Sequence, residues 1–381
     1  MQTRRCGKTG LDLTVIGFGA MRMHGDDVAP WARLVRLAAE AGFNYFETSD
    51  LYCGATSELK VGEGLKGFPR DKVYISTKSR LTDYPTADGI RRAVEQSLKK
   101  LRTDYLDFYQ LWGLRLETFR DIAVKKGGTI EGIRRAMAEG LVRHLGFTSH
   151  DSPPNMISLL GTGEFESVTL QYNLLDRENE PVIAEAGRLG IGVVVMGPLH
   201  GGILGHHSAV VSELMENRRV PKRNKGVATG STAEAAFRFV LSNPNVTCAA
   251  SGMMNSREIE ENAHTASTIK PLSAKERSAV DKTLGEFKKT SDALCTGCRY
   301  CMPCPEGVGI SEVFRLANAS RIYGLRDGSR RDYALFDKDW PYDQFKDASH
   351  CTECGECREK CPQKINIPEE LKKAHDILKQ R

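Results

Sequence analysis

Eight of the eleven cysteines stand in two rows near the C-terminus, each closed by Cys-Pro. The first row, CTGCRYCMPCP, holds Cys295, Cys298, Cys301 and Cys304; the second, CTECGECREKCP, holds Cys351, Cys354, Cys357 and Cys361. Three thiolates two residues apart can wrap one iron–sulfur cube, because the turns between them point the sulfurs inward. The fourth thiolate then comes from elsewhere, and in C-x2-C-x2-C-x3-C-P runs the Cys before Pro crosses to the other cluster. The spacing predicts two [4Fe–4S] clusters, one on Cys295, Cys298, Cys301 and Cys361, the other on Cys351, Cys354, Cys357 and Cys304. The first row is one residue shorter before Cys304, which aims that sulfur differently. Zinc is the alternative for paired CxxC motifs, but it leaves the third and fourth Cys of each row unexplained. Cys6, Cys53 and Cys248 stand alone and read as small apolar side chains.

A chain of 381 residues allows two or three domains at ~100–200 residues each. Its 40% apolar content supports a large core, and its formal charge is +5. An oxidised four-thiolate cube carries about −2, so two cubes bring the sum near neutral. No concentrated basic face suggests a nucleic-acid partner. MQTRRCGKTG leads into no apolar segment of a signal peptide, and no run reaches the ~18 apolar residues of a membrane span. The expectation is a soluble, cytoplasmic, oxygen-sensitive protein suited to anaerobic conditions, with no membrane partner.

Before residue 270, eight β-rich runs alternate with amphipathic stretches: 14–19, 43–48, 72–78, 104–112, 142–148, 167–172, 192–197 and 246–252. Between them IRRAVEQSLKKL places Ile90, Val94, Leu98 and Leu101 on one helical face. Eight strands alternating with helices fit a doubly wound sheet or a barrel. Their number, spread over ~250 residues, favours an α/β fold of the (β/α)8 TIM-barrel type. RRCGKTGLDL ahead of the first run reads as a hairpin that plugs one barrel end. The charged stretch 273–290 should lead into a small, mainly α-helical, ferredoxin-like domain. There, 310–324 and the final IPEELKKAHDILKQ read as helices, and 46 residues separate Cys304 from Cys351. The domain boundary is placed at 285/286.

The first part of the chain resembles the aldo-keto reductases, and the whole resembles their branch with a C-terminal two-cluster ferredoxin domain. The landmarks are FETSDLYCGATSE, YISTK, YLDFYQLW, GFTSH, LQYN, PLHGG and SGMMNSREIEEN, at the strand ends where a TIM barrel places its active residues. The resemblance implies hydride exchange between a nicotinamide and a carbonyl, with a tyrosine carrying the proton. By motif position Tyr52 is that tyrosine, Lys78 the lysine that tunes it, and Glu47 stands where the family usually has Asp. Trp112 replaces the family's histidine at the end of the fourth strand. It offers an indole N–H but no acceptor. The resemblance places the nicotinamide amide near Thr148, Ser149 and Gln171, its ring at Met196, and phosphates at Gly201 and Gly202. The adenosine end falls near Gly252, Met253, Asn255, Glu261 and Asn262. Basic residues that many members direct to a 2′-phosphate are replaced by Gly252 and Glu258, so NADP and NAD both stay open. Arg218, Arg219, Lys222, Arg223 and Lys225 offer a compensating basic segment, and His150 and His200 face the pocket mouth.

The leading expectation is an NAD(P)-dependent oxidoreductase acting on a small organic carbonyl or alcohol, cyclic or conjugated to suit Trp112. The clusters then serve electron transfer or docking of an electron-transfer protein. Reduction of an activated C=C bond, a ferredoxin-fed reductase without free nucleotide, and a non-enzymatic redox sensor on a degenerate barrel are the alternatives. The cysteine spacing is testable by itself: anaerobically purified protein should contain about eight irons and eight acid-labile sulfides per chain. Stoichiometric zinc without sulfide would exclude the clusters.

Overall fold

The computed structural model describes residues 1–174, 176–205, 223–224, 227–228, 231–278, 281–282, 295, 301–339, 341–361 and 364–379. They form two compact units: Met1–His200, Arg223–Ala228 and Ala236–Pro271 in the first; Gly201–Lys222, Thr229–Ala235 and Leu272–Arg381 in the second.

A short antiparallel hairpin, β1 (Thr3–Arg5) with β2 (Asp12–Thr14), opens the chain. Then follow β3 (Ile16–Gly19), β4 (Tyr45–Glu47), β5 (Tyr74–Ser79), β6 (Leu106–Leu111), β7 (Val142–Ser149), β8 (Ser167–Gln171) and β9 (Gly192–Met196). After the two-residue strands β10 (Arg223–Asn224) and β11 (Val227–Ala228), β12 (Cys248–Ser251) completes the set. Strands β3 to β9 pair in sequence order, all parallel, and β12 bonds to both β9 and β3, which closes an eight-stranded barrel. All eight expected strands are present. Their nearly continuous burial is what a parallel sheet covered on both faces requires.

The hairpin closes the N-terminal end of the barrel. Cys6 and Leu13 join a buried cluster with Tyr45, Phe108, Val194 and Cys248, and the Lys8 N–H donates to the Gly190 carbonyl at 2.8 Å. Gly7 makes this approach possible: its φ is +50°, and a Cβ there would lie 2.4 Å from the Gly190 oxygen. Burial pushes the Cys6 thiol up to about 12 and the Cys248 thiol well above its ordinary value. Both are inert packing groups, as their isolation in the sequence suggests.

The helices around the barrel are α1 (Val28–Glu40), α2 (Ser57–Leu65), α3 (Ala87–Leu101), α4 (Thr129–Ala138), α5 (Pro153–Leu160), α6 (Glu180–Leu189), α7 (Thr232–Leu241) and α8 (Ser256–Thr268). Thr86 starts α3 by accepting the Gly89 N–H at 3.1 Å, a normal N-cap. Ile90, Val94 and Leu101 are buried on its inner face, and Leu98 is half-buried. Two glycines let neighbouring helices touch. A Cβ on Gly62 of α2 would come 2.4 Å from the Lys100 carbonyl of α3, and one on Gly132 of α4 would come 2.2 Å from the Ala87 carbonyl.

The second unit is mainly helical, as expected. Its α9 (Ile310–Tyr323) packs against both α10 (Arg326–Tyr333) and α11 (Ile367–Lys379). The Tyr333 hydroxyl lies 2.7 Å from His375 Nδ1 and accepts the Ala348 N–H at 3.0 Å, while Phe336 stacks on Tyr342 at 4.8 Å. Of the charged stretch 273–290, residues 274–278 and 281–282 are helical, Ser273 precedes them, and the remainder lies outside the described residues. Among the described residues no helix is long and apolar enough to cross a membrane.

Ala exceeds Gly in helix propensity by about 1 kcal/mol, yet Gly62→Ala and Gly132→Ala should each destabilise by about 1–3 kcal/mol through overpacking. Gly161→Ala, whose Cβ would meet its nearest neighbour at an ordinary 3.6 Å, should stay within about 0.5 kcal/mol of wild type. Anaerobic urea denaturation followed by circular dichroism would separate the three. A wild-type midpoint for both Gly62→Ala and Gly132→Ala would contradict the close helix contacts.

Candidate active site

Because the eight strands are parallel, their carboxyl ends form one rim, and the residues singled out for the barrel fall there. Glu47 ends β4, Lys78 is the penultimate residue of β5, Trp112 follows β6, and Thr148 and Ser149 end β7. Gln171 ends β8, Met196 ends β9, and Gly252 follows β12.

The centre is a buried ion pair. Lys78 and Glu47 are in direct contact, with side chains 2% and 9% exposed, and the Lys78 ammonium also donates to the Thr48 carbonyl at 2.9 Å. Burial pulls the Lys78 ammonium well below its ordinary value, and the touching carboxylate works in the opposite direction. The longer Glu47 therefore does reach the lysine. Tyr52 packs beside the pair, with the Lys78 nitrogen 4.3 Å from its ring centre. Burial raises the Tyr52 phenol, helped by Cys53 and Tyr45, so the phenol holds its proton at neutral pH.

Tyr52 is aimed by an unusual turn. Cys53, Gly54 and Ala55 all have positive φ, at 55°, 65° and 65°. Two non-glycine residues in this region cost on the order of 1–3 kcal/mol each. Hydrogen bonds hold the turn: Thr56 Oγ1 donates to the Cys53 carbonyl at 2.6 Å, and Ser57 Oγ donates to the Ala20 carbonyl at 3.1 Å.

Trp112 meets Tyr52 edge to face, with ring centroids 5.3 Å apart and planes at 79°. The Arg80 guanidinium lies against the same indole at 4.7 Å. The flat surface expected for a ring-shaped substrate therefore carries a cation. Arg80 was legible only as the residue two past Lys78, one period of a strand, and sequence motifs gave it no role. Reading by motif also missed Glu58, fully buried, which accepts from Thr77 Oγ1 at 2.6 Å and lies 3.6 Å from Lys100. This network buttresses the strand that bears Lys78.

The residues assigned to the nicotinamide amide also have partners within the protein. Thr148 Oγ1 accepts the Gly113 N–H at 2.9 Å, and Ser149 Oγ donates to the Leu114 carbonyl at 2.7 Å. These bonds pin the loop that follows Trp112. Gln171 donates its amide to Asp176 at 2.7 Å, and its backbone carbonyl accepts from Asn179 at 2.9 Å. Met196 is half-buried on the rim, and Met253 is buried. Asn262 donates to Ser251 Oγ at 3.2 Å, and Glu261 pairs with Arg257. Asn255 caps α8 by accepting the Glu258 N–H at 3.0 Å, while the Glu258 carboxylate accepts from the Met254 N–H at 2.8 Å and the Asn255 amide at 2.9 Å. His150 and His200 are described and His200 is buried. In the second unit Gly201 and Gly202 lie in a 3-10 turn at His200–Gly205, Gly202 with φ +94°. Arg218, Arg219, Lys222 and Lys225 lie outside the described residues.

In the second unit Cys351, Cys354 and Cys357 line one pocket with Cys301 and Cys304. Burial and the neighbouring Cys351, Cys304 and Cys354 sulfurs raise the Cys357 thiol. Cys304 thus lies beside the other row, and Cys301 lines the same space. Among the described residues no three His, Cys, Asp or Glu side chains come close enough for a single metal ion. The donor set, thiols from both rows around one pocket, fits an iron–sulfur cluster. Cys361 is half-buried, Cys295 is described, and Cys298 lies outside the described residues.

Comparison with known proteins agrees with this geometry. Residues 15–284 match the aldo/keto reductase family, and residues 294–366 match a 4Fe-4S dicluster domain. The uncharacterized oxidoreductase YqkF of Bacillus subtilis is 28% identical over 292 residues, covering 70% of this chain and 91% of that protein. The holo form of aldo-keto reductase AKR11C1 from Bacillus halodurans superposes with a TM-score of 0.60 at 28% identity, over 74% of this chain and 96% of that one. An aldo/keto reductase from Klebsiella pneumoniae, solved with NADP and acetate, shares the fold at 21% identity and a TM-score of 0.59, over 74% and 95% of the two chains. The closed eight-stranded barrel, the buried Lys78–Glu47 pair beside Tyr52 and these matches lead to one conclusion: the chain belongs to the aldo/keto reductase family, and its barrel is followed by a C-terminal 4Fe-4S dicluster domain.

Proposed function

We propose that the barrel exchanges a hydride between a nicotinamide nucleotide and the carbonyl or alcohol carbon of a small organic substrate, with Tyr52 carrying the proton. The observation behind this reading is the buried Lys78–Glu47 pair set against the Tyr52 ring. The nucleotide, when bound, supplies or accepts the hydride. In the reducing direction Tyr52 donates its proton to the oxygen that becomes negative as the carbon gains the hydride. The raised phenol keeps that proton available. Lys78 places positive charge beside the ring and stabilises the phenolate left behind, and Glu47 fixes Lys78 in place. Trp112 walls the pocket, and Thr148 and Ser149 support it from behind by pinning the loop after Trp112.

Thr148, Ser149, Gln171, Met196 and Gly252 would line the nucleotide, together with Met253, Asn255, Glu261 and Asn262. Near the adenosine end, Glu258 already occupies the first turn of α8 with a carboxylate. A carboxylate there repels a 2′-phosphate and can accept a ribose 2′-hydroxyl, as acidic residues do in NAD-binding folds. NAD(H) suits this seat better than NADP(H).

The barrel is assigned to residues 1–285 and the cluster domain to 286–381. Cys351, Cys354, Cys357 and Cys304 would hold one cube, supported by their common pocket, and Cys295, Cys298, Cys301 and Cys361 the other. A hydride carries an electron pair, whereas each cube passes one electron. The clusters therefore serve docking of an electron-transfer partner or a separate one-electron step.

Tyr52→Phe should lower kcat by about 10²–10⁴-fold, the usual worth of a positioned proton donor, while leaving nucleotide affinity within about twofold, since the proton matters in the transition state. Anaerobic steady-state kinetics and nucleotide fluorescence titration give both numbers. Retention of more than about a tenth of the activity would assign the proton to another group. The same titration should show NADH bound about tenfold more tightly than NADPH, equivalent to about 1.4 kcal/mol, with Glu258→Arg reversing the order. Tighter NADPH binding by wild type would refute the role given to Glu258.

A further inference from the structure

Arg80 differs from the barrel arginines that are held in ion pairs. Arg70, Arg91, Arg102, Arg134, Arg135 and Arg143 each pair with a carboxylate. Among the described residues the Arg80 side chain forms no ion pair or hydrogen bond, and its recorded partner is the Trp112 ring. The neighbouring Asp83 carboxylate is engaged by Thr82 instead. Arg80 is exposed, directly after the carboxyl end of β5.

Its position makes it more than a solvated surface charge. The contacts from Arg80 to Trp112 and from Trp112 to Tyr52 place the guanidinium carbon within about 10 Å of the phenol ring centre. A guanidinium lying on an aromatic face keeps its N–H fork free and loses little further entropy on binding, and that fork matches two oxygens of a carboxylate or phosphate. The other cation here, Lys78, is already neutralised by Glu47. Among the described residues, Arg80 thus places a cation without a carboxylate partner near Tyr52, against the residue that replaces the family's histidine.

We propose that Arg80, ordered by Trp112, binds an anionic group of the substrate, so that the substrates are small carbonyl compounds, or the matching alcohols, that carry a carboxylate or phosphate a few atoms from the reacting carbon. This deepens the reading of the barrel as a hydride-transfer site and rests on it.

Two substrate pairs test the proposal: 4-oxobutanoate against butanal for a carboxylate, and glyceraldehyde 3-phosphate against glyceraldehyde for a phosphate. In one pair the charged member should show the higher kcat/KM, mainly through KM. Arg80→Gln should reduce that charged-to-neutral ratio by about ten- to hundred-fold, the worth of hydrogen bonds to a charged group. The pair that responds tells carboxylate from phosphate. Equal kcat/KM for charged and neutral members in both pairs, or a ratio that Arg80→Gln leaves unchanged, overturns the proposal. Anion binding is read separately by quenching of tryptophan fluorescence with succinate or glycerol 3-phosphate. Quenching of wild type but not of Arg80→Gln, without turnover of any aldehyde, upholds the anion site and refutes hydride transfer to carbonyls. Turnover with no charge preference and no quenching does the reverse.

Discussion

Closing eight parallel strands into a barrel imposes a direction on everything attached to it. Every strand runs the same way, so every carboxyl end reaches one rim and every amino end reaches the other. The hairpin with Cys6 and Leu13 fills the amino end, and chemistry is left with the opposite mouth. That constraint collects Glu47, Lys78, Trp112, Gln171 and Met196 from strands spread over more than a hundred residues. Each needs only to lie within one residue of the end of its own strand. The rigid ladder then sets their spacing, which loops alone could not hold.

At that mouth the energetics centre on the Lys78–Glu47 pair. Taking an ammonium and a carboxylate out of water costs several kcal/mol per ion, recovered only when the two meet closely and have further hydrogen bonds. Here the contact is direct, and the Thr48 carbonyl supplies the additional bond. The gain from such a pair lies in function rather than stability. In the proposed reaction, a cation locked in a dry site would interact strongly with charge developing on Tyr52. The left-handed turn at Cys53–Ala55 is a second cost accepted at the same place. It turns the Tyr52 side chain onto Lys78, a direction that continuing regular structure would not produce.

The cysteine rows obey a different rule. A cube needs four corners filled from two directions, so its ligands are set by which segments the fold brings together as well as by local spacing. Cys304 meets Cys351, Cys354 and Cys357 across 46 intervening residues, and α9, whose burial against α10 and α11 orders this unit, lies within that interval. An aldo/keto reductase barrel and a 4Fe-4S dicluster domain thus share one chain.

The sequence by itself determined what repeats or has short range. Eight alternating strand and helix signals identified the barrel because burial on both faces writes itself into continuous apolar runs. The CxxCxxC rows identified the cube because three ligands lie within seven residues. Motif position brought out Tyr52, Lys78 and Glu47 because each sits at a fixed offset from a strand end. Tertiary structure alone decided the rest. Glu47 could be named, but contact with Lys78 depends on the register between β4 and β5. Thr148 and Ser149 carried the right hydroxyls, yet their bonds go to the loop after Trp112, a choice made by the neighbouring strand. Arg80 carried no motif, and its distinction is a missing carboxylate and an indole more than thirty residues away. Gly62 is a weak helix former by propensity, and only the packing of α3 against it gives it a role. Hydrophobic period and ligand spacing are local properties of a chain, whereas the partner of a side chain is set by which strands and helices close around it.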